Sequence, residues 1–219
     1  MKPIKVLPMR EHVASELRKG IFAGDFSPGE ELVQDRLAVM LGVSRTPIRE
    51  AIQILRIEGL VSVIPNKGAI VENVTSNLMR DHYEFRMLLE GEAAARASQR
   101  MPDVAALESI YDEEDEALKK EDVHRSNLCN EAFHQEIWAA AGSRILKNQL
   151  LQTWNGFPGG MSKYNKEGLV LSHAEHLTII QAIAKKKPKK AKELMKQHVE
   201  RSLNNLLKRI TVGESIFNS

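Results

Sequence analysis

Only one cysteine, Cys129, occurs in the 219 residues, so no disulfide can form within the chain and a reducing compartment is implied. No apolar run approaches the roughly 20 residues that a membrane-spanning helix needs. The opening stretch MKPIKVLPMREH lacks the apolar core of a secretory signal. These absences predict a cytoplasmic protein with no membrane partner. A charge excess is also missing. The formal net charge is +2, and residues 1–73 hold ten Lys and Arg against nine Asp and Glu. A case for nucleic acid therefore rests on where the charges sit and not on how many there are. Low-complexity tracts and internal repeats are absent too. What remains is ordinary globular composition, 42% hydrophobic and 27% charged, at a length that suits one large domain or two smaller ones.

The chain changes grammar near Asn73. Before it, Val13, Leu17 and Ile21 recur at helical spacing until Gly24 and Asp25. SPGEEL reads as a turn, and VQDRLAVMLG as a short helix with Leu37, Met40 and Leu41 on one face and Gly42 after its end. Val61, Val63 and Ile64, then Pro65-Asn66-Lys67-Gly68, then Ala69 to Val71 read as a β-hairpin. After Ser76 the spacing predicts six helices, over about 77–99, 103–119, 122–141, 144–155, 172–186 and 189–210. The fold class is thus mainly α. Residues 1–73 are expected to form a winged helix-turn-helix domain, and 74–219 an antiparallel all-α helical bundle. The long loop Asn155–Gly168, rich in glycine, is a candidate lid.

Between the short helix and the hairpin lies SRTPIREAIQILRIEGL, from Ser44 to Leu60. Ser44 reads as the N-cap, its hydroxyl accepting from a free backbone N–H of the first turn. Pro47 falls inside that turn, where a missing N–H sacrifices nothing. Ile48, Ile52 and Leu55 form a buried stripe, whereas Arg45, Arg49 and Arg56 lie opposite, with Thr46 at the exposed tip. Such a helix presents its N-terminal residues to base edges and phosphates in a major groove. Lys67 and Gly68 would tip the wing. Each arginine taken alone fits a solvated face better than a DNA contact; the order of helix, turn, capped helix and basic hairpin favours DNA.

The string GDFSPGEEL…LAVMLGVSRTPIREAIQILRIEGLVSVIPNKGAIV resembles the N-terminal domain of the GntR family of bacterial transcription factors. The resemblance implies DNA contacts from Arg45, Thr46 and Arg49, with Lys67 and Gly68 in the wing. Where that family often has Glu-Arg, this chain has Gln34-Asp35 followed by Arg36, so either Arg36 substitutes or one arginine contact is absent. Ser44 and Arg36 complete the candidate DNA-binding set.

In the second half, His134, His176 and His198 fall on the apolar faces of three helices, and Asn130 lies one turn before His134. They are either core histidines, each bonded to a neighbour, or a metal site inside a bundle. EFRMLLEGEAAARAS, NEAFHQEIW, AEHLTIIQAI and MKQHVE resemble the ligand-binding FCD domain of FadR-type GntR regulators, in its six-helix, VanR-like form. The resemblance implies that His134, His176 and His198 bind a divalent metal, zinc or nickel, together with Asn130, where the family usually has aspartate. It also implies that Arg86 meets the carboxylate of a small organic-acid effector; a bond to Glu90 is the alternative from spacing. His173 reads as a surface residue. DEEDE (112–116) and KKKPKKAK (185–192) read as solvated charge runs.

These expectations combine into a transcriptional regulator, read as a repressor. A homodimer would bind double-stranded DNA at a palindromic operator, with its affinity set by a carboxylate in a metal-containing bundle. Two alternatives use the same histidines: a metal-dependent hydrolase, against which no inward acid stands out as a general base, and a regulator that senses the metal itself.

Overall fold

A computed structural model describes residues 8–65, 67–156 and 166–211. The chain divides into two compact units, with the border between Leu78 and Met79.

The first unit begins with α1 (Met9–Ala23), which ends where Gly24 turns left-handed at φ 84°. α2 (Gln34–Leu41) ends at Gly42 in the same way, with φ 65°. α3 (Arg45–Ile57) then runs into β1 (Val61–Ile64) and β2 (Gly68–Val71), an antiparallel pair in the register Val61↔Val71 to Ile64↔Gly68. Ile48, Ile52 and Leu55 of α3 are buried with Leu17 and Ile21 of α1 and Leu37 of α2. The helical spacing therefore marked the core correctly, except that Met40 is 54% exposed. Beneath this core Arg18 is buried and donates from Nε and Nη2 to Glu58 at 2.9 and 2.6 Å.

Two local readings need correction. SPGEEL is more than a turn: Glu31 bridges to Ile70, the Leu32 N–H donates to the Ala69 carbonyl, and the Val71 N–H donates to that of Glu30. A third extended segment thus braces the wing. Ser44 does occupy the N-cap of α3, yet its side chain makes no capping bond. A capping hydroxyl reaches the N–H of the second or third helical residue, and the third here is Pro47, which has none.

The second unit consists of α4 (Ser76–Arg100), α5 (Ala105–Lys119), α6 (Val123–Ala140), α7 (Arg144–Gly156), α8 (Lys166–Ala184) and α9 (Pro188–Thr211). Within the described residues these are the six helices expected, though α8 starts six residues earlier than its apolar spacing suggested. Connections of three or four residues join α4 to α5, α5 to α6, α6 to α7 and α8 to α9, which is how antiparallel neighbours are linked. Two of them turn through non-glycine residues at positive φ, Glu121 and Lys186. Phe133, Ile137, Trp138, Ile179, Ile183, Met195 and Val199 are fully buried between the helices. Residues 157–165, most of the candidate lid, lie outside the described part.

Candidate functional site

In the first unit, Arg45, Thr46 and Arg49 are all exposed on α3, as are Ser44 before it, Arg36 on α2 and Lys67 at the hairpin tip. Gly68 has φ 77°, and a Cβ there would lie 2.6 Å from Glu31 Oε1. Only glycine fits both the backbone and the brace. Two of the arginines meet acids. Arg36 Nη2 donates to Glu30 Oε1 at 2.9 Å, and Glu30 also accepts from the Ser27 N–H. That backbone bond, ahead of Arg36, lowers the Glu30 carboxyl. Arg45 Nε pairs with Asp35, the residue standing where an arginine was expected by resemblance.

In the second unit, His134 from α6, His176 from α8 and His198 from α9 meet in the buried interior. One nitrogen from each lies within 4.8 Å of the others. Every ring is held from behind by an acid. His134 Nδ1 lies 3.1 Å from Glu90, His176 Nδ1 is 2.9 Å from Glu114, and His198 Nδ1 is 2.7 Å from Glu175. An ionised carboxylate only accepts, so each Nδ1 carries the hydrogen and each Nε2 lone pair faces the centre.

The acids are ionised despite their surroundings. Burial alone would raise Glu90; the His134 ring, Arg86 and the Trp138 indole together hold it down to about 2. Glu114 is likewise brought to about 2, against burial, by His173 and His176. Glu175 is lowered, against burial, by His198 and Arg201. Two of the rings are held in the neutral form. Burial lowers His134, with Arg86 and His176 adding to it. Burial, helped by His176 and His134, takes His198 to about 3.

This arrangement leaves electron pairs unanswered. The Nε2 atoms of His134 and His198 face each other at 3.2 Å, a repulsive approach for two lone pairs that a cation between them relieves. His176 Nε2 and Asn130 Oδ1 are buried with no hydrogen-bond partner. Three imidazoles backed by carboxylates form a donor set suited to zinc or nickel. The three histidines therefore fit a divalent ion, and the buried Asn130 Oδ1 lies one helical turn before His134 on α6.

Around the cluster, Arg86 is buried, with Nε 3.3 Å from Glu90 Oε1, and its guanidinium sits 4.4 Å from the centre of the Trp154 ring. Spacing left a bond to Glu90 or an outside carboxylate open for Arg86; the bond to Glu90 is formed. His173 is not a surface residue. It is nearly buried, bonded to Glu114 at 3.1 Å and stacked on Tyr111 at 3.9 Å. Nor is DEEDE wholly solvated, because Glu114 within it is completely buried. The sequence offers no obvious general base beside the histidines, and its spacing marks Glu90 only as a partner for Arg86; the structure places Glu90, Glu114 and the partly exposed Glu175 against the rings. Glu114 had a signal: it falls seven residues after Leu107 and three before Ala117, the other buried positions of α5.

Among the described residues, no helix is long and apolar enough to cross a membrane. Residues 9–71 match the family described as bacterial regulatory proteins, gntR family, and residues 81–201 match the FCD domain. The Nta operon transcriptional regulator of Aminobacter aminovorans is 29% identical over 83% of this chain and 87% of its own. The uncharacterized HTH-type transcriptional regulator YdhC of Bacillus subtilis is 31% identical over 87% of this chain and 86% of its own. Among solved structures, E. coli McbR/YncC superposes with a TM-score of 0.69 at 23% identity, covering 94% of this chain and all of that one. At that identity the likeness speaks for the fold.

Proposed function

The chain belongs to the GntR family of DNA-binding transcriptional regulators, with an FCD domain as its second unit, and from that premise we propose that a carboxylate effector, bound beside a divalent ion in the helical bundle, controls its grip on DNA. The observation that carries this reading is the convergence of His134, His176 and His198 with every Nδ1 fixed by an acid, of which Glu90 and Glu114 are fully buried. A bound ion would supply a fixed positive charge with coordination positions open to a carboxylate. His134, His176, His198 and Asn130 would hold it, while Glu90, Glu114 and Glu175 keep the rings in one tautomer. Arg86, its guanidinium over the Trp154 ring, would add its positive charge to hold the anion. The hydrolase alternative loses its footing, since both matched families are regulatory and each inward acid is occupied in orienting a ring.

On the DNA side, Arg45, Thr46 and Arg49 would enter the major groove, with Ser44 and Arg36 on phosphates and Lys67 and Gly68 at the backbone or minor groove. The uncapped Ser44 hydroxyl supports its part in this. A homodimer in the cytoplasm would place two such surfaces on a palindromic operator, and effector binding would relieve repression by favouring the arrangement with the lower DNA affinity. Elemental analysis of untagged protein, purified without a nickel column or chelator, tests the central claim. About one divalent ion per chain, lost in His134→Ala with operator binding retained, is the expected result. Protein that holds no ion even after dialysis against zinc would overturn it.

A further inference from the structure

The helix-turn-helix carries an acid where its function calls for bases. Asp35 lies in the first turn of α2, and its carboxylate engages Nε of Arg45, the first residue of α3. Both side chains are well exposed, 60% and 72% respectively. An exposed ion pair of this kind contributes little stability, so its effect lies in where it puts the arginine. The contact at Nε holds the guanidinium beside α2 and does not take up the end pair, Nη1 and Nη2. Two parallel donors at that spacing match O6 and N7 of a guanine. An arginine without such a tether swings readily to a phosphate, which offers the stronger and sequence-blind attraction. The neighbouring Arg36 is tethered in a similar way, by Glu30, which the Ser27 N–H holds in turn.

We propose that Asp35 is a specificity-determining residue of the DNA-binding unit: its carboxylate orients Arg45 to read a guanine edge and restrains it from the phosphate backbone. Asp35 acts through Arg45 and is a positioning residue, not itself a base contact. The inference rests on the placement of Arg45 in the major groove. It predicts that removing the acid lowers discrimination without weakening attraction to DNA in general.

The test is selection from a random-sequence duplex pool by the full-length protein, wild type against Asp35→Asn, Asp35→Ala and Arg45→Ala, with near-wild-type circular dichroism required of each. Arg45→Ala should lose the preference for one guanine in each half-site. Both Asp35 variants should lose most of that same preference, roughly tenfold in relative affinity, while the other positions stay selected. On a fixed duplex carrying the wild-type motif, the dependence of log affinity on log salt should steepen by about one in Asp35→Ala, as Arg45 takes up a phosphate. Asp35 variants that select the wild-type motif with its guanine preference intact overturn the proposal, provided Arg45→Ala loses it. If Arg45→Ala keeps the full motif as well, the placement of Arg45 is what fails, and the proposal falls with it.

Discussion

Replacing Glu114 by glutamine removes one charge from the bundle interior and leaves its shape nearly unchanged. Glu114 Oε2 accepts from His176 Nδ1 at 2.9 Å and from His173 Nδ1 at 3.1 Å. The carboxylate keeps both hydrogens on Nδ1, pointing the His176 Nε2 lone pair inward, and its charge makes that lone pair more basic. An amide retains at best neutral hydrogen bonds. In its other orientation its NH2 donates to Nδ1, moving the ring hydrogen to Nε2, where no cation can bind. Loss of such a partner typically lowers metal affinity about 10- to 100-fold, or roughly 1.4–2.7 kcal/mol. A competition titration of zinc against a chelating indicator at pH 7.5 measures it. Asp115→Asn is the control, since Asp115 is 43% exposed and lies 3.6 Å from His173 Nε2; its affinity should stay close to wild type. A folded Glu114→Gln protein with unchanged zinc affinity would refute the reasoning and leave Glu114 as a core ion partner only.

The metal-free bundle should weaken in acid. His198 has its folded pKa brought down to about 3 by burial and by the two other rings, so the unfolded chain takes up the proton first. The stability is complete above the ordinary histidine pKa of about 6.5 and falls as pH drops toward 3, by about 1.4 kcal/mol per unit. Urea midpoints in chelator at pH 7.5 and 5.0 should therefore differ by about 2 kcal/mol of stability; equal midpoints would contradict the neutral-ring assignment. In the first unit, Arg18→Met strands Glu58, whose carboxyl burial already pushes up against the pull of Arg18, and should cost about 3–5 kcal/mol. Adding Glu58→Leu should restore most of that loss in thermal melts, and an unrescued double variant would show that Arg18 matters for packing alone.

Helical and strand spacing was enough to find nearly every element, because burial of Ile48, Ile52 and Leu55, or of Ile179 and Ile183, follows periodicity directly. Two kinds of feature escaped. Pairing across distance did: Glu31 against Ile70 looks like a turn locally, since nothing in GEEL announces a strand partner 39 residues away. So did two of the acids behind the histidines. Glu114 sits amid four acidic neighbours, and charge runs are normally solvated, so its apolar spacing was overridden by composition. Glu175 stands beside His176 in sequence but reaches His198 on the next helix. The histidines were legible because a polar residue on an otherwise apolar face is conspicuous. Their partners were not, because acids that orient a ring need only reach it and follow no period of their own.

Under the proposed metal and effector binding, Asn130 would bear on the order in which ions enter the bundle. A metal-binding imidazole is neutral, so the cluster and its charged partners would sum three carboxylates, Glu90, Glu114 and the half-buried Glu175, against two guanidiniums, Arg86 and the half-buried Arg201, which leaves a single negative charge. A dication reverses that to a single positive charge, and one monocarboxylate then brings the interior to neutrality. An aspartate at position 130 would shift every stage down by one, so that the dication alone reached neutrality and the incoming acid broke it. On the proposed reading, the amide would give up some attraction for the metal in favour of the anion. A singly charged acid would then close the balance, whereas a dicarboxylate would have to keep its second group in contact with solvent.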